Sequence, residues 1–328
     1  MRTRLLGRTG LQISEIVFGA GAVGGAVFRG ERAQRLEIVR RALDAGINWI
    51  DTAPGYGSGQ SEENLGWILQ ELGATPHIST KVRLRPEDLD DIPAAVERSL
   101  RESLGRLHLP KVDLVQLHNP LGRERDDHGR LALDDVLGPG GVADALDAVR
   151  DAGLADHAGF TALGDVDSYV LHEAAASGRF ATVQVYHNVL NPSATRRMPP
   201  AFSAADYREL AAFCRPRRMG VLNIRVLAAG ALGGQDPRGG FAMSPGSEPG
   251  RDARRAELVA AALAGEPGTL AQSAIRYALA RPELSGVLVG FSTPEQVDEA
   301  VAAAGMGPLS EQSLARLEAL YKSDFEGV

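Results

Sequence analysis

Short apolar runs alternate with amphipathic runs along the whole chain. Eight apolar runs read as strands, at residues 16–20, 49–53, 77–82, 112–118, 157–162, 182–188, 221–226 and 286–291. Several lack strict alternation, as expected of strands covered on both faces. Helical spacing fills the gaps. Leu36, Val39 and Leu43 share one face, and Val297, Ala300, Val301 and Ala304 share another. Ser61 ahead of Glu62 and Glu63 predicts a helix start capped by the serine, with acids in the first turn. Residues 142–149, 166–176, 207–213 and 269–279 read as further helices, and 314–321 as a last one with no strand after it.

Eight strands each followed by a helix predict a single (β/α)8 TIM barrel, α/β in class, spanning residues 1–328 as one domain. Residues 1–13 carry turn chemistry and predict a small hairpin over the barrel bottom. Three long irregular stretches, 119–140, 191–203 and 229–251, follow strands. They therefore belong on the C-terminal face, where barrel active sites sit, and 229–251 reads as a lid.

Composition narrows the classes. Hydrophobic residues are 44% and charged residues 23% of the 328, which suits a large packed core rather than disorder. The net charge of -7, with arginines scattered along helical faces, argues against nucleic acid. Cys214 is the single cysteine, so no disulfide framework or cysteine-rich metal site can be built, and it reads as buried packing. The first residues lack the apolar core of a signal peptide, and no run approaches the ~18 apolar residues of a membrane helix. A cytoplasmic location fits. The histidines other than His118 show no metal-ligand spacing, so no metal is expected. His187 stands out among them, because its strand end faces the expected pocket.

Gly19-Ala20-Gly21-Ala22-Val23-Gly24 matches the G-x-G-x-x-G pattern after a strand. In a Rossmann unit those glycines open the helix, whereas here Gly25 to Gly30 intervene before a helix near Glu31. The run therefore reads as a glycine-rich loop on a barrel, still suited to close approach of a ligand to the backbone.

Four polar residues finish three successive strands. Asp51 ends the second strand and Tyr56 lies just beyond it; Lys81 ends the third strand and His118 the fourth. In a barrel these ends converge on one pocket. Each has an ordinary reading: a turn cap, a loop aromatic, a solvated strand end and a core histidine. Jointly they form an acid–base design. A phenol with a reference pKa of about 10 is a poor proton donor near neutrality. A neighbouring ammonium lowers that value, a carboxylate holds the ammonium, and a histidine orients the substrate oxygen.

With Asp51-Thr52-Ala53, Tyr56-Gly57 and Ser61-Glu62-Glu63-Asn64-Leu65-Gly66 in place beside Lys81 and His118, the chain resembles the aldo-keto reductase family over nearly its whole length. The resemblance implies a catalytic tetrad of Asp51, Tyr56, Lys81 and His118. It implies a barrel binding NADP(H) or NAD(H), with no metal. Hydride passes between nicotinamide C4 and a carbonyl or alcohol carbon of an aldehyde, ketone or sugar, and Tyr56 is general acid or base. The partner is then a small molecule.

By the same resemblance Gly19, Ala20, Asp51, Thr161, Gln184, Ile224, Arg225, Leu227, Gly290, Phe291, Ser292, Thr293, Gln296 and Glu299 contact the cofactor. Gln184 resembles the glutamine that holds the nicotinamide carboxamide, and Glu299 the residue that accepts from the adenine amine. The sequence departs from the pattern at two places: Ala162 stands where the family has asparagine, and Ile224 where it has a stacking aromatic. Arg225 reads either as a pyrophosphate contact or as a loop anchor. The loop 290–296 resembles the family's adenosine-phosphate loop but carries no cation, so use of NAD(H) is expected unless Arg251 or Arg254 folds in. Two other classes fit the same residues: a cofactor-binding regulatory subunit, or a barrel lyase using Lys81 as a Schiff-base amine. Substrate identity, reaction direction and oligomeric state are not readable from the sequence.

Overall fold

A computed structural model of the protein describes residues 1–163, 167–233 and 249–326. The chain starts with β1 (Thr3–Leu5) and β2 (Gln12–Ser14), an antiparallel hairpin joined by a short 3-10 turn. The barrel begins with β3 (Ile16–Gly19), β4 (Trp49–Asp51), β5 (His77–Val82) and β6 (Val112–Leu117). A two-stranded pairing of β7 (Leu121–Gly122) and β8 (Leu131–Ala132) then interrupts it. It resumes with β9 (Ala155–Ala162), β10 (Thr182–Tyr186), β11 (Gly220–Ile224) and β12 (Gly286–Gly290). The eight barrel strands close in the order β3, β4, β5, β6, β9, β10, β11, β12, every pair parallel. This is the expected (β/α)8 fold.

Helices cover the outside: α1 (Arg32–Asp44), α2 (Gln60–Leu72), α3 (Ile92–Leu107), α4 (Leu133–Leu137), α5 (Val142–Asp151) and α6 (Ser168–Ala176). α7 (Leu210–Cys214), α8 (Pro249–Ala262), α9 (Leu270–Leu279), α10 (Pro294–Gly305) and α11 (Glu311–Lys322) complete them. Among the described residues no helix is long and apolar enough to cross a membrane.

The hairpin closes the N-terminal end of the barrel, as its turn chemistry predicts. Leu6 and Ile13 pack on Val17, Trp49, Leu114, Leu222 and Leu288, all buried. Each leucine or isoleucine so covered stabilises the fold by ~1.5–3 kcal/mol. Glu15, 2% exposed, accepts from Arg2 at 2.9 Å and Arg4 at 3.3 Å. Arg4 also donates to the carbonyls of Leu279, Arg281 and Leu284, which ties the hairpin to the end of α9.

At the other end, strand register sets the site. Gly290 pairs with Gly19, Gly19 with Asp51, and Asp51 with Ser79. Lys81 pairs with Gln116, and Thr161 with Gln184. Residues distant in sequence are therefore carried to one rim.

Several expectations need correction. Ser61 does not cap α2: Gly59 does, with φ of 92°, and Ser61 lies inside the first turn, buried. α3 and α8 were not anticipated from apolar spacing. Their local signals are present, however: Asp91 Oδ1 accepts from Ala94 N at the start of α3, and α8 is rich in alanine and arginine. Stretch 119–140 is not irregular throughout, since it holds β7, β8 and α4. The helix expected at 207–213 is the shorter α7. Within the expected lid, Ala228–Gly233 forms a kinked 3-10 turn and α8 begins at Pro249; residues 234–248 lie outside the described residues. His187 does not reach the pocket. It is fully buried, stacks on Tyr277 at 5.7 Å, and is pushed down to about 3 by burial and then by Arg281. Cys214 is buried as expected.

Candidate active site

A cleft of about 450 Å3 opens at the C-terminal ends of the barrel strands. Asp51, Tyr56 and His118 line it, and Lys81 lies buried beneath them. The four residues singled out from the sequence thus share one site.

The floor of the site is a hydrogen-bonded cluster. Lys81 Nζ donates to Asp51 Oδ2 at 2.5 Å and to the Thr52 carbonyl at 2.8 Å. The other oxygen, Asp51 Oδ1, accepts from Ser79 Oγ at 2.8 Å and from Gln184 Nε2 at 2.6 Å. Trp49 Nε1 donates to Ser79 Oγ at 2.9 Å, which fixes that hydroxyl from below. A buried carboxylate is tolerable only when paired and bonded in this way.

Lys81 Nζ also stands 4.8 Å from the Tyr56 ring centroid, and the Tyr56 and His118 rings meet edge-on at 6.1 Å. The electrostatics follow from burial. Desolvation raises the Tyr56 phenol above its usual value; Lys81 pulls it down by less, and Asp51 adds to the rise. Lys81 thus acts in the expected direction, but burial outweighs it and the net direction is upward. Desolvation also acts against the Lys81 ammonium, but Asp51 and Tyr56 more than offset it, so it stays charged. Burial, then the charges of Lys81 and Arg83, drive His118 well below its usual value, leaving a neutral imidazole. The site can hold a phenolic proton beside a fixed cation and a neutral hydrogen-bonding ring.

The rest of the cleft suits an extended, nucleotide-bearing cofactor. Thr161 Oγ1 is buried and has no partner among the described residues, on a residue that lines the cleft. A buried hydroxyl left unsatisfied costs about 1–3 kcal/mol, so a ligand group is its natural partner. Gly24 lies against Phe291: a Cβ there would meet Phe291 N at 2.5 Å and O at 2.6 Å. Only glycine permits this approach, which draws the glycine-rich loop onto the loop before α10. Ser292 Oγ locks the junction by donating to Gly24 O at 2.8 Å, and Gln296 Oε1 accepts from Ser292 N at 2.7 Å.

Most expected contact residues reach the wall: Gly19, Gln184, Ile224, Arg225, Leu227, Gly290, Phe291, Ser292, Gln296 and Glu299. Ala20 and Thr293 stand behind it. The Ala20 carbonyl accepts from Ser61 Oγ at 3.1 Å, and Thr293 is the N-cap of α10. Gln184 gives its amide nitrogen to Asp51, and Glu299 Oε1 accepts from Thr269 Oγ1 at 2.5 Å. Arg225 has φ of 62° at the end of β11, and its charge is felt by Tyr56, which sets it near the proton donor. Arg83, Tyr186 and Leu163 line the cleft too and were missed. Arg83 carried a readable signal, being a cation two residues beyond Lys81 at a strand end. Among the described residues no group of three or more His, Cys, Asp or Glu side chains is placed to hold a metal.

A closed parallel barrel with a buried Asp–Lys pair under a tyrosine and a neutral histidine defines an oxidoreductase class of site. The model of the aldo/keto reductase family matches residues 15–322, and the chain belongs to that family. It is 29% identical to an L-galactose dehydrogenase of Arabidopsis thaliana, over 97% of this chain and 94% of that protein. A D-threo-aldose 1-dehydrogenase of Pseudomonas is 28% identical, over 88% and 89% of the two chains. An aldo-keto reductase of Bacillus halodurans in its holo form superposes with a TM-score of 0.75 at 22% identity, covering 98% of this chain and 97% of its own. One from Klebsiella pneumoniae in complex with NADPH gives 0.69 at 21%, covering 98% and 96%.

Proposed function

We propose that this protein interconverts an alcohol or sugar hydroxyl and a carbonyl, using NAD(H) or NADP(H). The buried Asp51–Lys81 pair under Tyr56 carries the reading, because it has no packing role that a pair of apolar side chains would not fill at lower cost. The nicotinamide, when bound, supplies or accepts the hydride. The protein's own groups manage the proton. Tyr56 gives its phenolic proton to the carbonyl oxygen in reduction and takes it back in oxidation. Lys81 steadies the phenolate so formed, and Asp51 keeps Lys81 in place and charged. Neutral His118 donates a hydrogen bond to the reacting oxygen without competing for its proton. Thr161 Oγ1 and Gln184 would hold the nicotinamide cofactor, together with Ser292 and Gln296.

Cofactor choice follows from charge. Among the described residues, the cationic side chains on the cleft wall are Arg83 and Arg225. Neither belongs to the loop before α10. Of the two expected reserves, Arg251 is engaged by Asp324 at 3.0 Å and by Ser203, and Arg254 is exposed on α8 and does not line the cleft. Charge-assisted partners are what offset the desolvation of a 2′-phosphate. NAD(H) is therefore used appreciably. Steady-state assays with both cofactors against a panel of aldehydes, ketones and aldoses test the reading. Turnover supports it; cofactor binding with no turnover in either direction overturns it in favour of a regulatory subunit.

A further inference from the structure

The substrate end of the cleft is cationic in a way that the acid–base chemistry does not require. Arg83 follows β5, two residues beyond Lys81, and lines the cleft beside His118. The other arginines of the segments that follow β5 and β6, Arg98 of α3 among them, are paired. Arg85 meets Glu87, Arg98 meets Asp88, Arg123 meets Asp167, Arg125 meets Asp135, and Arg130 meets Asp126. Among the described residues Arg83 makes no ion pair. Its one hydrogen bond is a long one, 3.4 Å to the His128 carbonyl.

The backbone that carries it is nevertheless fixed. Asn119 Oδ1 accepts from Leu84 N at 2.9 Å, and Asn119 Nδ2 donates to the carbonyls of Leu84 and Gly129, both at 2.8 Å. A fully buried asparagine thus staples the Arg83–Leu84 segment to the loop after β6. The guanidinium is presented from a rigid base, with its donors largely unused. Arg225, which follows β11, lines the same cleft. Among the described residues the carboxylates on the cleft wall are Asp51, already paired with Lys81, and Glu299, on α10 with the loop ascribed to the cofactor. The charges of the two arginines reach His118 and Tyr56 respectively.

We infer that the substrate carries an anionic group, a carboxylate or phosphate, which Arg83 grips while the carbonyl or hydroxyl faces Tyr56 and His118. This rests on the oxidoreductase reading and adds the substrate class. A guanidinium fork matches either anion bidentately, and a group held on a stapled strand end orients the reacting carbon as well as binding it.

Matched pairs test it: 4-carboxybenzaldehyde against 4-formylbenzamide, and glyceraldehyde 3-phosphate against glyceraldehyde. In each pair the two members react by the same chemistry and differ in charge. The expected result is a kcat/KM at least tenfold higher for the anionic member of one pair or both, carried mainly by KM and weakened by added salt. The pair with the larger ratio identifies carboxylate or phosphate. Arg83→Gln should bring the ratio close to one, and Arg83→Lys should restore part of it, since charge survives without the fork. Equal kcat/KM within both pairs, or an unchanged ratio in Arg83→Gln, overturns the inference while leaving the oxidoreductase reading intact. No turnover of all four compounds with either cofactor would overturn the inference, and the wider panel of aldehydes, ketones and aldoses then decides the oxidoreductase reading separately.

Discussion

The two ends of the barrel solve opposite problems. At the N-terminal end, seven apolar side chains from the hairpin and strands fill the space between them, led by Trp49 and Leu222. At the C-terminal end the barrel strands present Asp51, Lys81, Gln184 and Thr161, all buried and polar. Strained backbone follows β11 at this end. Arg225, Ala228 and Ala229 all have positive φ, of 62°, 46° and 58°. Left-handed non-glycine residues cost on the order of 1 kcal/mol or more and persist where surrounding structure enforces them. The comparison separates stability from chemistry along one axis: changes at the bottom should cost folding, and changes at the top should cost turnover.

The sharpest way to break that division is Lys81→Met. It removes the charge that lies under Tyr56 and leaves Asp51 buried without its cation. Activity should be nearly lost. Because Lys81 pulls the phenol pKa down, its removal lets burial and Asp51 raise it further. Any residual pH–rate profile should therefore move to higher pH, in both directions of reaction. A profile matching the parent's would uncouple Lys81 from the proton donor. Unlike other changes at the top, this one also reaches the fold, by about 3–5 kcal/mol, since an unpaired buried charge remains. The sign of the linkage is set by a raised lysine pKa in the fold. The pair's contribution is fully present below the ordinary lysine value and fades as pH climbs through the folded one. Urea melts of parent and variant at pH 7 and pH 11 should therefore converge at the higher pH.

Tyr56→Phe is cleaner. It keeps the ring against His118 and removes one hydroxyl. A loss of ~10²–10⁴-fold in kcat, about 2.7–5.5 kcal/mol of transition-state stabilisation, is the expected size for a general acid. Cofactor affinity and unfolding midpoint should hardly move. In the parent, a phenol raised above its usual value and a neutral His118 make the reduction rate flat from pH 6 to 8. Near-normal kcat in the variant removes Tyr56 from the mechanism.

The mirror-image test lies at the bottom. Leu222→Ala empties part of a fully buried cluster and should destabilise the fold by ~2–5 kcal/mol. Leu222 itself does not line the cleft, although it pairs in register with Gln184 and its cluster neighbour Leu288 does line it, so kcat should fall far less than in the variants of Lys81 and Tyr56 at temperatures where the protein is folded. A large kcat loss at full folding would show that the two ends are mechanically coupled.

How much of this division was visible in the sequence depends on the kind of interaction. The strands, their order and the four converging polar residues were legible, because a two-sided apolar run and a polar strand end are local features. Ser61 was misread for the same reason. Serine before two acids is a capping pattern, but a cap forms only where the backbone leaves the helix. Here Gly59 turns first, and tertiary contact claims the Ser61 hydroxyl for Thr52 and Ala20. His187 was misread because strand-end position does not tell which way a ring points; Tyr277 and Thr195 take it inward. Arg83 was passed over because its meaning lies in what it lacks. Its five arginine neighbours find carboxylates, and a pattern of pairing exists only in three dimensions.

The smallest expected effect tests the distal end of the cleft. Gln296 sits in the first turn of α10 with its carbonyl oxygen on Ser292 N. That bond uses a backbone donor at the loop beside the helix start, so an anion approaching there meets one N–H fewer and no cation. Gln296→Arg changes both at once: it frees Ser292 N and adds a guanidinium able to take a phosphate in bidentate fashion. The helix start itself should survive, because Pro294 already occupies its first turn and Ser292 Oγ still holds Gly24. The ratio of kcat/KM for NADP(H) to that for NAD(H) should rise by roughly tenfold, about 1.4 kcal/mol, mostly through KM and less at high salt. Activity with NAD(H) should fall only slightly, since the 2′-hydroxyl asks little of this position. A parent that already favours NADP(H) a thousandfold would mean that the 2′-phosphate is read by a cation outside this loop. An unchanged ratio in the variant would mean that the adenosine end does not lie against Gln296.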